Sequence, residues 1–163
     1  MAATRASSSR FGSTPPAAIG PFQAGPRGRT LRGMALPVLM GAQIMCTNGL
    51  GPSQLLVIPK GPPVMVEGKL LATVMDFAPF ANIVPFPLCN APANPTVIAA
   101  TAAALGTPTP AACVPNTVAP WTTGSPTVKC GAFNVLNNSS KLQCLWGGSI
   151  TVLNPGATRE TVP

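Results

Sequence analysis

Proline sets the strongest limit on this chain. Its 163 residues include 21 prolines, from Pro15 to Pro163, and each fixes φ and removes a backbone donor. Such a chain cannot build a bundle of long helices, and long central strands are excluded for the same reason. With 16 glycines beside them, the prolines favour short strands, tight turns and rigid loops, so the fold class expected is mainly β.

Within that limit two stretches look like copies of one unit, Pro63 to Cys89 and Pro126 to Val152. Laying Val64 to Ala72 (VMVEGKLLA) over Thr127 to Val135 (TVKCGAFNV) aligns alternating residues around a shared glycine, Gly68 and Gly131. Glycine takes a positive φ without steric cost, as a tight strand-to-strand turn requires. Each unit then runs through strand-compatible residues and a turn (Pro79, or Asn137 to Ser140) to a cysteine, Cys89 or Cys144. The pattern predicts short hairpins gathered about a common centre. Two unrelated hairpins of a small β protein would share it.

The rest of the chain reads as connections between such units. Gly41 to Pro59 predicts a strand through Cys46, a turn at Asn48, Gly49 and Gly51, and a strand over Leu55 to Ile58. Pro79 to Pro95 is too rich in proline for paired strands and predicts an extended loop presenting Cys89. One helix is expected over about 95–105: Asn94 is an N-cap, Pro95 suits the first helical position, and Gly106 closes the end. Apolar on every side, it belongs between layers or under a partner. Thr107 to Pro126 is extended again and presents Cys113, and Ser149 to Leu153 is a last strand before a turn at Asn154, Pro155 and Gly156.

Charge divides the chain into a basic N-terminal extension over 1–35, expected to be disordered, and a domain over 36–163. The extension holds Arg5, Arg10, Arg27, Arg29 and Arg32 and no acid, so most of the net charge of +7 belongs to it. Phe11 and Phe22 alone are a poor stacking platform, and no nucleic-acid partner is expected. The apolar run after Arg32 starts too far in for a signal peptide, is broken by Pro37 and Gly41, and is too short to span a bilayer. The protein is therefore expected to be made in a reducing cytoplasm. Only 8% of its residues are charged and the mean hydropathy is +0.36, which predicts that a partner covers part of the surface.

Little of the usual chemistry is available. With no His there is no Ser/His/Asp or Cys/His nucleophile and no His-bearing zinc site. Glu67 and Asp76 are expected at strand ends in solvent, and Asn137 to Lys141 (NNSSK) as a solvated turn rather than a Ser/Lys site. No enzymatic activity is expected. The five cysteines remain, spread without a Cys-x-x-Cys knuckle; buried thiols, disulfides and a metal tetrad are all open. Cys130 takes the place of Glu67 in the other unit, just before the turn glycine, which leaves Cys46, Cys89, Cys113 and Cys144 as the candidate ligands. A structural zinc in such a set is associated with about 10 to 16 kcal/mol of apparent binding free energy. A domain's whole stability is about 5 to 15 kcal/mol, so one ion could decide whether this loop-rich chain folds.

The segments GAQIMCTNGLGPSQLLVIP, GKLLATVMDFAPFANIVPFPLCNAPANP, CVPNTVAPWTTGSPTV and CLWGGSITVLNPG resemble, in order and wording, the cysteine-containing PAAR-like proteins encoded with contractile injection systems. The resemblance runs from about Leu36 to Pro163. It implies a small cone of short β-hairpins with long Pro-rich loops, a metal near its apex, and a broad base on the trimeric VgrG-like spike of a type VI, phage-like or extracellular machine. It supports Cys46, Cys89, Cys113 and Cys144 as ligands of one structural ion, zinc or alternatively iron, and gives Cys130 no role. The function implied is a non-enzymatic piercing tip that is assembled into a particle, delivered outside the cell, and brought into transient contact with a target envelope and with effector cargo. A delivered effector and a free-standing cysteine-based metal-binding protein are the alternative classes.

Overall fold

The computed structural model describes residues 35–162, so the extension over 1–35 lies, but for Ala35, outside the described residues. Pro37 and Pro52 bracket the longest strand, β1 (Val38–Cys46), and the other strands are β2 (Ser53–Gln54), β3 (Met65–Val66), β4 (Lys69–Leu70), β5 (Lys129–Cys130), β6 (Phe133–Asn134), β7 (Lys141–Gln143) and β8 (Ser149–Gly156). They form one antiparallel sheet in the order β2-β1-β8-β7 and two separate hairpins, β3-β4 and β5-β6. The fold is mainly β, as expected, with a single short helix, α1 (Pro95–Ala103), among the described residues.

A ring of backbone hydrogen bonds holds the hairpins to the sheet. The N–H of Val38 donates to the carbonyl of Leu136, that of Leu136 to Ala72, and that of Ala72 back to Val38, each at 2.9 Å. Antiparallel bridges flank it in the same cyclic order: Leu39 with Leu71, Thr73 with Val135, and Asn137 with Pro37. Residues 37–39, 71–73 and 135–137 are therefore three sides of one closed figure with an internal pseudo-threefold relation. Two sides continue alike. The Thr73 N–H donates to Asp76 Oδ2, and at the matching position the Asn137 N–H donates to Ser140 Oγ. The third runs straight on into β1.

Both hairpins deliver the chain into this ring, through Leu71 N–H to Val64 O (2.9 Å) and Val135 N–H to Val128 O (3.0 Å). The matching residue on the first side is Pro37, which has no N–H to give. The two units seen in the sequence are thus real hairpins, but they superpose one residue further along than the sequence alignment suggests. Glu67 (φ 50°) and Gly68 (φ 76°) are both left-handed in the first turn, whereas in the second Gly131 (φ 62°) comes first and Ala132 is not left-handed. A two-residue loop takes a type I′ turn in one case and a type II′ turn in the other. Cys130 consequently matches Val66, a partly buried core position, and not Glu67.

The ring separates two parts of the core. Val38, Ala72 and Leu136, all fully buried, pack with Ile44, Leu55, Trp121 and Ile150, whereas Leu39, Leu71 and Val135 pack with the hairpin residues Val66, Val128 and Cys130. A third cluster, Cys89, Ala91 and Val97, joins α1 to the cysteine-bearing loops. In β1 the strand alternation sends Ala42, Ile44 and Cys46 inward and Gln43 outward.

Several expectations are corrected. Leu55 to Ile58 is not a strand: β2 ends at Gln54, Leu55 makes one bridge to Ile83, and the Leu56 N–H turns aside to the Asn82 carbonyl. Asn154, Pro155 and Gly156 are not a turn but the end of β8, whose register against β1 slips where the proline must be accommodated. Asp76 is not in solvent. It is 1% exposed, accepts from Thr73 and Asn82 and faces Lys60 Nζ at 3.4 Å, while its carbonyl accepts from Trp121 Nε1. In the NNSSK turn Asn137 and Ser140 are buried, with Ser140 Oγ donating to the Thr123 carbonyl. The caps of α1 are as expected: Asn94 accepts from the Thr96 N–H, and left-handed Leu105 and Gly106 close the C-terminus through Gly106 N–H to Thr101 O. Yet among the described residues α1 is not packed between two layers. Only Val97 is buried, and Leu105 is 98% exposed.

Glu67 fastens the C-terminal segment. Its carboxylate accepts from the N–H groups of Thr158 (3.0 Å) and Arg159 (2.8 Å), and from the Thr158 hydroxyl. The Arg159 and Thr158 amides hold its pKa down to about 2. A depressed folded pKa means that the contact is fully present above the ordinary carboxylate range and is lost as the pH falls from about 4.5 toward about 2. We predict that the protection factors of the amides at 158–160, taken against the intrinsic exchange rate at each pH, fall over this window in the wild type. In Glu67→Gln the segment should exchange fast already at neutral pH and show no such transition. Equal protection in the two proteins at pH 7 would contradict the assignment.

Candidate metal centre

Four separate parts of the chain meet around one small cavity. Cys46 ends β1, and the turn after it folds back through Gly49 N–H to Cys46 O. Gly49 then bridges Cys89, and Cys89 bridges Ala111, two residues before Cys113. Leu145 N–H donates to the Asn116 carbonyl, Cys144 N–H to the Gly148 carbonyl, and Thr47 N–H to the Ser149 carbonyl, which closes the circuit. Inside it a cavity of about 10 Å³ is lined by Cys46, Cys89, Cys113 and Cys144 with Phe86 and Trp146 among its walls. That is room for about one water-sized body.

Cys89 Sγ accepts from the Ala91 N–H at 3.4 Å, and the backbone amides of Asn48 and Gly49 beside Cys46, and of Phe86 beside Cys113, favour the thiolate there. Burial nonetheless dominates: it raises the Cys46 pKa and pushes Cys113 up to about 11, helped by the neighbouring thiols, and the amides only partly oppose it. The amides compensate a thiolate only in part, and a cation at the sulfur would stabilise the deprotonated form further.

The donor set suits a soft divalent ion held by four thiolates, with the amides as the outer hydrogen bonds that steady them. The four sulfurs border one cavity without being drawn to a point. Among the described residues no three Cys, Asp or Glu side chains stand at the spacing of a closed metal site. Bordering a common cavity is a weaker relation than coordination spacing, and the ligand distance of about 2.3 Å would require the thiols to draw inward. The fit is one of donor type and convergence.

The structure thus brings together Cys46, Cys89, Cys113 and Cys144 and leaves Cys130 with the hairpin core, beside Leu71 and Phe133. All five are free thiols. A family model described as a domain of unknown function, DUF4280, matches residues 38–157, which include all four thiols, both hairpins and nearly the whole ring. The chain belongs to the DUF4280 family. Neither the curated proteins nor the solved structures gave a match. No helix among the described residues is long and apolar enough to cross a membrane.

Two site residues were not singled out in the sequence. A Cβ on Gly148 would stand 2.5 Å from Cys46 Sγ, so only glycine lets the thiol reach the cavity. Trp146, whose Nε1–H donates to the Val114 carbonyl, walls the site. The run Cys144-Leu145-Trp146-Gly147-Gly148 carried the signal: one glycine of the pair serves the turn, with φ 82° at Gly147, and the second serves the contact. We predict that Gly148→Ala destabilises the fold by about 1 to 3 kcal/mol through overpacking. Adding Cys46→Ala should restore part of that loss, because the clashing sulfur is gone. Strict additivity of the two substitutions in chemical denaturation would contradict the contact.

Proposed function

We propose that this chain is a non-enzymatic tip that caps the trimeric spike of a contractile injection system, stiffened by one metal ion, zinc or alternatively iron, held by Cys46, Cys89, Cys113 and Cys144. The observation that carries the reading is the ring of Val38, Ala72 and Leu136. A single chain on the axis of a trimer can make equivalent contacts with all three partners only if it has three equivalent sides of its own. An internal threefold arrangement inside one monomer answers that demand. It agrees with what the resemblance to PAAR-like proteins implies.

Other features support the same reading. Met65 on the first hairpin and Leu153 on β8 are exposed apolar side chains with no partner layer among the described residues, suited to a docking base. Asp76 is consumed by Thr73, Asn82 and Lys60, and Glu67 by the backbone of 158–160, so neither is available as a general acid or base to a substrate from outside. Dense proline reduces the entropy of the unfolded chain, and an ion tying four distant segments together would add stiffness where a piercing tip needs it.

Native mass spectrometry of the protein with its trimeric spike partner tests the proposal. One copy per three spike chains is the expected stoichiometry. Three copies per trimer, or no complex at all, would contradict it, and either result would favour a delivered effector or a free-standing metal-binding protein.

A further inference from the structure

Asp76 does more than its place in the ring requires. It caps the side 71–73 through the Thr73 N–H, and at the matching position of the second unit Ser140 caps Asn137 with a hydroxyl. A neutral group therefore suffices for the cap, and a carboxylate only 1% exposed is the costlier choice. Its two oxygens are divided. Oδ2 accepts from the Thr73 N–H at 2.8 Å and from the Thr73 hydroxyl at 3.0 Å. Oδ1 faces Lys60 Nζ at 3.4 Å and Asn82 Nδ2 at 3.3 Å. One carboxylate oxygen thus holds an amine and a carboxamide together.

Asn82 is as buried as Asp76 and is gripped at both ends of its amide. Nδ2 also donates to the Leu56 carbonyl at 2.9 Å, and Oδ1 accepts from the Ala78 N–H at 3.2 Å. Its Cγ is therefore fixed in place, with a backbone donor on the carbonyl oxygen. Lys60 is the movable member. Its side chain, 35% exposed, reaches in from the surface on a flexible stem beside a cavity of about 20 Å³ walled by Val57, Val64, Leu70 and Phe133. A nucleophile, an electrophile and a proton carrier are the three parts that amide formation needs.

We propose that Lys60 and Asn82 join in an intramolecular isopeptide bond, with Asp76 as the catalytic residue. Asp76 Oδ1 takes a proton from the Lys60 ammonium, and the freed lone pair on Nζ attacks Asn82 Cγ. The carbonyl electrons move onto Asn82 Oδ1, where the Ala78 N–H steadies the negative charge. As the Cγ–Nδ2 bond breaks, Asp76 passes its proton to Nδ2 and takes a second from Nζ, which keeps one. Ammonia departs with that last proton as ammonium, so Asp76 ends as it began. The step needs no oxidant and no further reactant. A link from Lys60 to Asp76 itself would need another carboxyl to carry the protons. The chain has only two other acids, Glu67, which is bound to 158–160, and Glu160, which lies in that segment. The bond would close residues 60–82, with β3, β4 and the ring side 71–73, into one covalent loop. It goes beyond the tip reading and does not depend on it.

Intact mass of the denatured full chain, with a tryptic map, tests the proposal. The mass expected is about 17 Da below that of the sequence, through loss of ammonia. Trypsin should leave the bond after Lys60 uncut and should yield 33–69 joined to 70–129. Lys60→Arg, at a residue on the surface, keeps the positive charge beside Asp76 and removes the nucleophile. It should fold and show the full mass of its sequence, and Asp76→Asn should show the full mass as well. Three results would overturn the proposal. These are full mass and normal cleavage after Lys60 in the wild type, a deficit that survives in Lys60→Arg, as cyclisation at Asn48-Gly49 would give, and a deficit of about 18 Da mapped to Lys60 and Asp76.

Discussion

Three buried amides decide this fold. Val38, Ala72 and Leu136 each give an N–H to the next and take one from the last, and a buried amide left unpaired costs about 1 to 3 kcal/mol. No side of the ring can form alone, because each donor needs an acceptor that lies far off in the chain. The hairpins, β1 and both parts of the core are thereby joined through one closed set of hydrogen bonds. Short strands that would be marginal by themselves become stable as sides of a common figure.

The ring also explains why so loop-rich a chain can position side chains accurately. β1 leaves it directly and carries Cys46 outward on its inner face. The other two sides pass into turns capped by Asp76 and Ser140, and from there the chain enters the Pro-rich loops that bring in Cys89, Cys113 and Cys144. The scaffold end is charged and built of hairpins, while the cysteine end is uncharged and built of loops.

Much of this was legible in the sequence where the signal is local. Turn glycines gave both hairpins, Asn94, Pro95 and Gly106 gave the helix, and the cysteine at the end of each unit drew attention to the four thiols that do converge. What escaped was non-local. The third side of the ring, residues 37–39, has no hairpin of its own because Pro37 lacks the necessary donor, so two copies were visible and the threefold relation was not. The burial of Asp76 has no local signal, because its partners Lys60, Asn82 and Trp121 are brought in by the fold rather than by spacing. The two glycines align the units one residue out of register because the two turns use them at different positions.

Metal content per chain, by elemental mass spectrometry on protein purified under reducing conditions, tests the central claim most directly. The account predicts about one zinc or iron ion per chain, lost when Cys46, Cys89, Cys113 or Cys144 is replaced by Ser and retained in Cys130→Ser. Protein that carries no metal while all five thiols titrate freely would contradict it, and the four converging cysteines would then be core packing.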